Sequence, residues 1–340
     1  MTRPLIICAP EPRSIPLIFR PEQEEVLRSN YELIEVAETE VNNLSPQTLS
    51  RARYILGQPP LTLRTVEAMS ALRCIFNVES NLLNNMPYEP LFQRGVHVVT
   101  TGAVFALPVA EMGLAMALTL ARDVAAADRA FTEGQELWGG DGNANARLLS
   151  GSKIGIIGFG DLGRALRRVL SGFHADIAVF DPWLPPSLLE EAGVRSASLD
   201  ALLAESETVF VVASVTSENR GFLNAERFNA MPKGARLILL SRADVVDFDD
   251  LMAAVESGHI TAASDVFPEE PLPLNHPVRS LNGFLRSAHR AGALDAAFKM
   301  MGDMVLEDMA LLDQGLPPLR CKRAERETVS RMRSRPVDKS

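Results

Sequence analysis

Six residues, Gly158-Phe159-Gly160-Asp161-Leu162-Gly163, restrict the possible folds of this chain more than any other segment. They follow an apolar run, 154–157, and lead into Leu162, Ala165, Leu166, Val169, Leu170 and Phe173, spaced as one helical face. The order is strand, glycine turn, helix. In such a unit Gly158 permits the tight turn, Gly160 lets the backbone approach a pyrophosphate, and Gly163 lets the helix pack on the strand. The helix N-terminus, with Asp161 and Leu162 in its first turn, then faces the phosphates. Alone, the pattern is also compatible with a glycine-rich turn. Asp181 makes it specific, because it closes the next apolar run, 177–180, about 20 residues on, where a carboxylate accepts from ribose hydroxyls. A phosphorylated ribose would be repelled there, so NAD is expected rather than NADP.

The rest of the chain repeats this alternation. Apolar runs at 5–8, 31–36, 54–56, 74–78 and 96–99, mostly separated by helical patterns, predict one α/β unit before residue 100. Runs at 154–157, 177–180, 209–213, 237–240, 260–263 and 284–285 predict a second unit of six strands, the size of a full dinucleotide fold. With 340 residues, two domains are expected. The fold class is therefore α/β, with two Rossmann/flavodoxin-like, doubly wound parallel-sheet domains and an active-site cleft between them.

A formal net charge of −9 argues against nucleic acid or an anionic membrane as partner, since either needs a basic face. The three cysteines, Cys8, Cys74 and Cys321, have no metal-site or disulfide spacing. No metal is expected. The N-terminus reads as a first strand rather than a secretion signal, giving a cytoplasmic expectation. Residues 103–121 have transmembrane-like length, but Pro108, Glu111 and the charged continuation speak against a span. Apolar residues surround this helix, which predicts burial of more than one face and a homodimer contact. From Pro317 the chain turns basic and aperiodic, and 321–340 is expected to be a flexible tail.

In a doubly wound sheet ligands collect beyond the carboxyl ends of the strands. Arg242 follows the run 237–240, Asp265 follows 260–263 with Glu270 five residues on, and His289 follows 284–285. Hydride transfer to a ketone needs a proton donor, a cation to grip substrate and polarise its carbonyl, and a carboxylate to keep the donor protonated. His289, Arg242 and Glu270 supply those three roles, and Asp265 is placed to accept from the nicotinamide carboxamide. His97, His174, His259 and His276 lack such placement and are expected to be structural or exposed.

At these residues the chain resembles the D-isomer-specific 2-hydroxyacid dehydrogenases, over roughly residues 70–320. The resemblance rests on IGIIGFGDLGRAL with FDP downstream, TSENRGFL, LLSRADVVDFDDL, SDVFPEEPLP and SAHRAG. It implies an Arg242–Glu270–His289 catalytic set acting on a 2-keto or 2-hydroxy acid, and a cofactor contact at Thr216. It also implies a discontinuous substrate domain, 1–102 plus 293–320, an inserted NAD domain, 103–292, and homodimerisation through the latter.

Some positions depart from the family pattern. Where a glycine-containing loop usually holds the substrate carboxylate, this chain reads Asn77-Val78-Glu79-Ser80-Asn81, with Glu79 in place of a glycine. That charge would disfavour a second anionic group. Val78, Glu79, Ser80 and Asn81 become candidate substrate contacts, the last three accepting hydroxyls of a sugar-derived acid. Leu239, Ala243, Val212 and Ala288 replace a family Asn, Gly, His and Pro. Competing expectations are an NAD-sensing, corepressor-like protein without turnover, and a phosphite-type dehydrogenase.

Overall fold

The computed structural model describes residues 3–79, 82–216 and 218–329. The chain divides into two compact units: one runs to Phe105 and resumes at Ala293, and the other spans Ala106–Gly292. The first contains β1 (Leu5–Cys8), β2 (Glu32–Glu35), β3 (Ala52–Leu56), β4 (Cys74–Asn77) and β5 (His97–Thr100). The second contains β6 (Lys153–Ile157), β7 (Asp176–Phe180), β8 (Arg195–Ser196), β9 (Thr208–Val211), β10 (Arg236–Leu239), β11 (Thr261–Ser264) and β12 (Phe284–Arg286). The chain then returns to the first unit through the helix Asp295–Asp313 and β13 (Lys322–Arg323).

In the first unit the strand order is β2-β1-β3-β4-β5-β13, parallel throughout except for β13. The inner strands β1, β3 and β4 are mostly buried because both sheet faces are covered, whereas the edge strand β2, Glu-Leu-Ile-Glu, has no buried residue. Side chains alternate across the sheet. Ile6, Cys8, Tyr54, Leu56 and Phe76 pack on one side with Ala297, Met301 and Val305 of the long helix. Leu5, Ile7, Ile55, Ile75 and Val98 pack on the other with Val41, Leu49, Val66 and Leu91. Each Ile, Leu, Val, Met or Phe among them, fully buried, contributes about 1.5–3 kcal/mol of transfer free energy.

The flexible-tail expectation for 321–340 is corrected over its first part. Lys322 and Arg323 pair antiparallel with Thr100 and Val99, and Cys321 and Ala324 are buried. The cause lies 13 residues upstream. The Asp308 carboxylate, wholly buried, accepts from the backbone N–H groups of Leu319, Arg320 and Cys321 at 2.8–2.9 Å, fixing the chain reversal. Residues from 330 on lie outside those described.

The second unit has the order β8-β7-β6-β9-β10-β11-β12, all parallel. Counted from β6 this is 3-2-1-4-5-6 with one further strand, the doubly wound arrangement whose direction of progression reverses between β6 and β9. The helix Ala106–Arg122 lies on this sheet through one stripe, Ala106, Val109, Ala110, Gly113, Met116, Ala117 and Ala121. At Gly113 an added Cβ would meet Leu240, Leu166 and Phe210. The helical stretch Gly102–Arg122 is long and apolar enough to cross a membrane by length and composition, but the buried stripe is core. The expected second buried face is not buried within the chain: Met112, Leu114, Leu118 and Leu120 stay partly exposed.

Candidate active site

The glycine turn forms directly after β6, at the switch in strand order. Gly158 has φ +92°, which disfavours any L side chain, and an added Cβ would stand 2.6 Å from the Ala213 Cα. At Gly163 a Cβ would stand 2.4 Å from the Gly158 carbonyl oxygen, so the helix Asp161–Val169 packs on the turn only because that position has no side chain. Gly160, by contrast, opens onto free space, where a bound group can lie against the backbone. Asp161 in the first turn and Arg167 and Arg168 in the last complement the helix dipole.

Asp181 stands one residue past β7, where its oxygens accept from the Phe159 N–H at 2.8 Å and the Trp183 N–H at 3.0 Å. A carboxylate has about four acceptor sites, so capacity remains for two ribose hydroxyls. Thr216, buried beyond β9, gives its N–H to Asn219 Oδ1 at 2.8 Å, and its hydroxyl accepts from the Glu218 N–H at 3.3 Å. The open backbone at Gly160, the helix N-terminus and the partly used Asp181 carboxylate fit a dinucleotide.

The proposed proton-handling residues meet beyond β11 and β12. His289 Nδ1 lies 2.5 Å from Glu270 Oε2. Glu270 Oε1 accepts from the Phe267 N–H at 2.8 Å, which fixes the carboxylate plane. Burial tends to raise the Glu270 pKa, but the hydrogen bonds from His289 and the Phe267 backbone, together with the charges of His289 and Arg242, hold it below the usual carboxylate value. Glu270 thus stays anionic and orients the ring with Nδ1–H inward. That leaves Nε2 for substrate, and the side chains of His289 and Glu270 are 45% and 34% exposed. Arg242 follows β10 on extended backbone and donates from Nη1 to the Ser241 carbonyl at 2.6 Å.

Asp265 has a role the sequence did not disclose. It is 1% exposed, its carboxylate accepts from the N–H groups of Arg290 at 3.0 Å and Ala291 at 2.9 Å, and its carbonyl accepts from the His289 N–H at 2.7 Å. Three consecutive amides therefore converge on one residue. This supports His289 at φ +48°, a left-handed conformation that costs on the order of 1–3 kcal/mol unless the surroundings impose it. The expectation of a nicotinamide contact had seen only Asp265's place after a strand, not its engagement with this loop.

In the first unit Val78 is buried in the core, so only its backbone is available to a ligand. Glu79 donates its N–H to Asn77 Oδ1 at 2.7 Å and accepts at its carbonyl from Thr100 Oγ1 at 2.6 Å. Its carboxylate pairs with Arg13, Nε to Oε1 at 3.3 Å and Nη2 to Oε2 at 3.4 Å. The Glu79 charge, expected to disfavour a second anion, is matched instead by Arg13, 66 residues away. Arg13 follows β1 without a motif of its own, so no local signal marks it as the partner of Glu79. Ser80 and Asn81 lie outside the described residues.

Chemically, NAD(H) when bound supplies or accepts the hydride. His289 Nε2 can hold the proton that the new alkoxide needs, Glu270 stabilises the imidazolium, and Arg242 offers a fork to a carboxylate.

Comparison with known proteins agrees with this geometry. Residues 114–291 match the model of the D-isomer specific 2-hydroxyacid dehydrogenase, NAD binding domain. The crystal structure of a phosphoglycerate oxidoreductase from Rhizobium etli is 69% identical, covers 95% of this chain and 99% of its own, and superposes with a TM-score of 0.89. A glyoxylate reductase of Korarchaeum cryptofilum is 30% identical over 264 residues, 76% of this chain and 79% of that protein. A D-3-phosphoglycerate dehydrogenase of Archaeoglobus fulgidus is 26% identical over 267 residues, 78% of this chain and 50% of that protein. With the glycine turn, the dinucleotide topology and this agreement together, the chain belongs to the NAD-dependent D-isomer specific 2-hydroxyacid dehydrogenases.

Proposed function

We propose that this protein interconverts a 2-keto acid and the matching D-2-hydroxy acid with NAD(H), and that its substrate is a short hydroxylated acid of the glycerate type. The observation that carries the first part is the 2.5 Å His289–Glu270 pair, in the same unit as the glycine turn, with Arg242 near enough to depress the Glu270 pKa. The second part is supported by relatives described as a phosphoglycerate oxidoreductase, a glyoxylate reductase and a D-3-phosphoglycerate dehydrogenase. A homodimer belongs to the same proposal, resting on the half-exposed apolar residues of the helix Ala106–Arg122 and on the exposure of Phe131, Leu137 and Trp138 just after it. So does a cytoplasmic site of action, in keeping with three buried, unpaired cysteines.

The test is NADH oxidation against glyoxylate, hydroxypyruvate, phosphohydroxypyruvate, phenylpyruvate and longer sugar-derived 2-keto acids, with the product resolved by chirality. Turnover of the short acids to D products is expected. Tight NADH binding without turnover of any 2-keto acid would replace this reading with a nucleotide-sensing protein, and NAD reduction by phosphite would replace it with a phosphite dehydrogenase.

A further inference from the structure

In the second unit, the helix Asp161–Val169 carries Arg164, Arg167 and Arg168, with Ser171 one turn further along the chain. At spacings of three and four residues the arginines share one helix face, Arg164 having both others as neighbours at about 5–6 Å between Cβ atoms. They border an open groove of about 340 Å³ that reaches Ala192, just past the helix Pro186–Glu191. Uncharged neighbours hold two of them. The Arg164 Cζ stands 5.3 Å from the centre of the Phe159 ring, itself 1% exposed. Arg167 Nη2 lies against Gly193, where an added Cβ would stand 3.1 Å away. None of the three guanidiniums makes an ion pair or a hydrogen bond among the described residues. The helix dipole favours Arg167 and Arg168 near the C-terminal end but not Arg164 near the other, and like charges at these spacings repel. In a chain of formal net charge −9, the cluster is a local positive field that no carboxylate of the chain neutralises.

We propose that this groove binds a diphosphate-class anion, at a site separate from that of the dinucleotide. Three cations balance the charge of a diphosphate, and guanidinium forks offer paired N–H donors to its oxygens. A carboxylate would fill one fork, whereas two linked phosphates present oxygens to forks a helix turn apart. Ser171 adds a hydroxyl donor at the groove. Because the Phe159 ring and the Gly193 backbone already hold Arg164 and Arg167, less side-chain entropy is lost on binding. The recognised group is the diphosphate, free or carried by a nucleoside, and the site does not depend on the reaction proposed above.

The experiment is a calorimetric titration of the full-length protein with pyrophosphate at about 0.15 M salt, with saturating NADH keeping the dinucleotide site filled. Saturable binding of one pyrophosphate per chain is expected. Arg164→Gln/Arg168→Gln should weaken it roughly tenfold or more through the loss of two charged donors, and Arg164→Lys/Arg168→Lys should fall between, keeping charge without the fork. Arg64→Gln/Arg73→Gln, the same charge change at exposed positions of the first unit, should bind as wild type does. With ADP as the second probe, tighter binding than pyrophosphate would mark a nucleotide as the source of the anion, and weaker binding the free anion. No saturable binding in wild type, an unchanged Kd in the Gln pair, or an equal loss in the first-unit control would overturn the proposal. Loss of NADH affinity in the Gln pair would make the arginines part of the dinucleotide site and overturn it too.

Discussion

The loop carrying His289 and the loop carrying Glu79 both follow a strand of a parallel sheet, yet they are held in opposite ways. His289, Arg290 and Ala291 hang by their backbone amides on one buried carboxylate, Asp265, while the side chains of His289 and Glu270 remain half-exposed. Glu79 is held by polar neighbours at its backbone and by a distant arginine at its side chain. In the first loop the anchor is sealed and the functional group is open. In the second, the residue that the sequence singles out is itself held, its carboxylate in an ion pair with Arg13. The difference separates a loop whose fixed backbone leaves a ring accessible for proton transfer from a loop whose charge is matched by an internal ion pair.

The largest stability effect is expected where the anchor is buried. Asp265→Ala leaves the Arg290 and Ala291 amides without their acceptor and should cost about 2–4 kcal/mol in urea denaturation, with lost turnover. A full loss of NADH affinity with unchanged stability would instead return Asp265 to a cofactor contact. Asn77→Ala removes one neutral hydrogen bond to the Glu79 N–H and should cost about 1 kcal/mol. A cost equal to that of Asp265→Ala would erase the contrast between the loops.

The smallest effect is one of pH. The folded-state pKa of Glu270 lies below its ordinary 4.5, so its pairing stabilises the fold above that value. As pH falls from about 4.5 through the lower folded pKa, this contribution disappears. Glu270→Gln should therefore flatten the acid side of the stability profile there, and an unaltered profile would deny the pairing any energetic weight.

Eleven runs read as strands match β1–β7 and β9–β12 in place, mostly because burial on both faces writes a continuous apolar signature, though β2 and β12 are only partly buried. The two-residue strands β8 and β13 have no such signature: their residues are exposed and their pairing is set by neighbours. The glycine turn was legible because its six residues are contiguous and sit between an apolar run and a helical face, although the backbone that excludes a side chain at Gly158 belongs to Ala213, far along the chain. Arg242, Glu270 and His289 could be named from their places after strands. Arg13 and the anchoring role of Asp265 could not, since each depends on partners 66 and 24–26 residues away that only the folded chain brings into contact.

The central claim, that the imidazole held by Glu270 handles the proton in an NAD-linked reduction, is tested most directly by the His289→Ala variant. The measurement is its rate of glyoxylate-dependent NADH oxidation at neutral pH, with NADH affinity recorded in parallel. The account predicts a fall in kcat/KM of roughly 10²–10⁴-fold with NADH binding intact. Turnover within a few fold of wild type would contradict it.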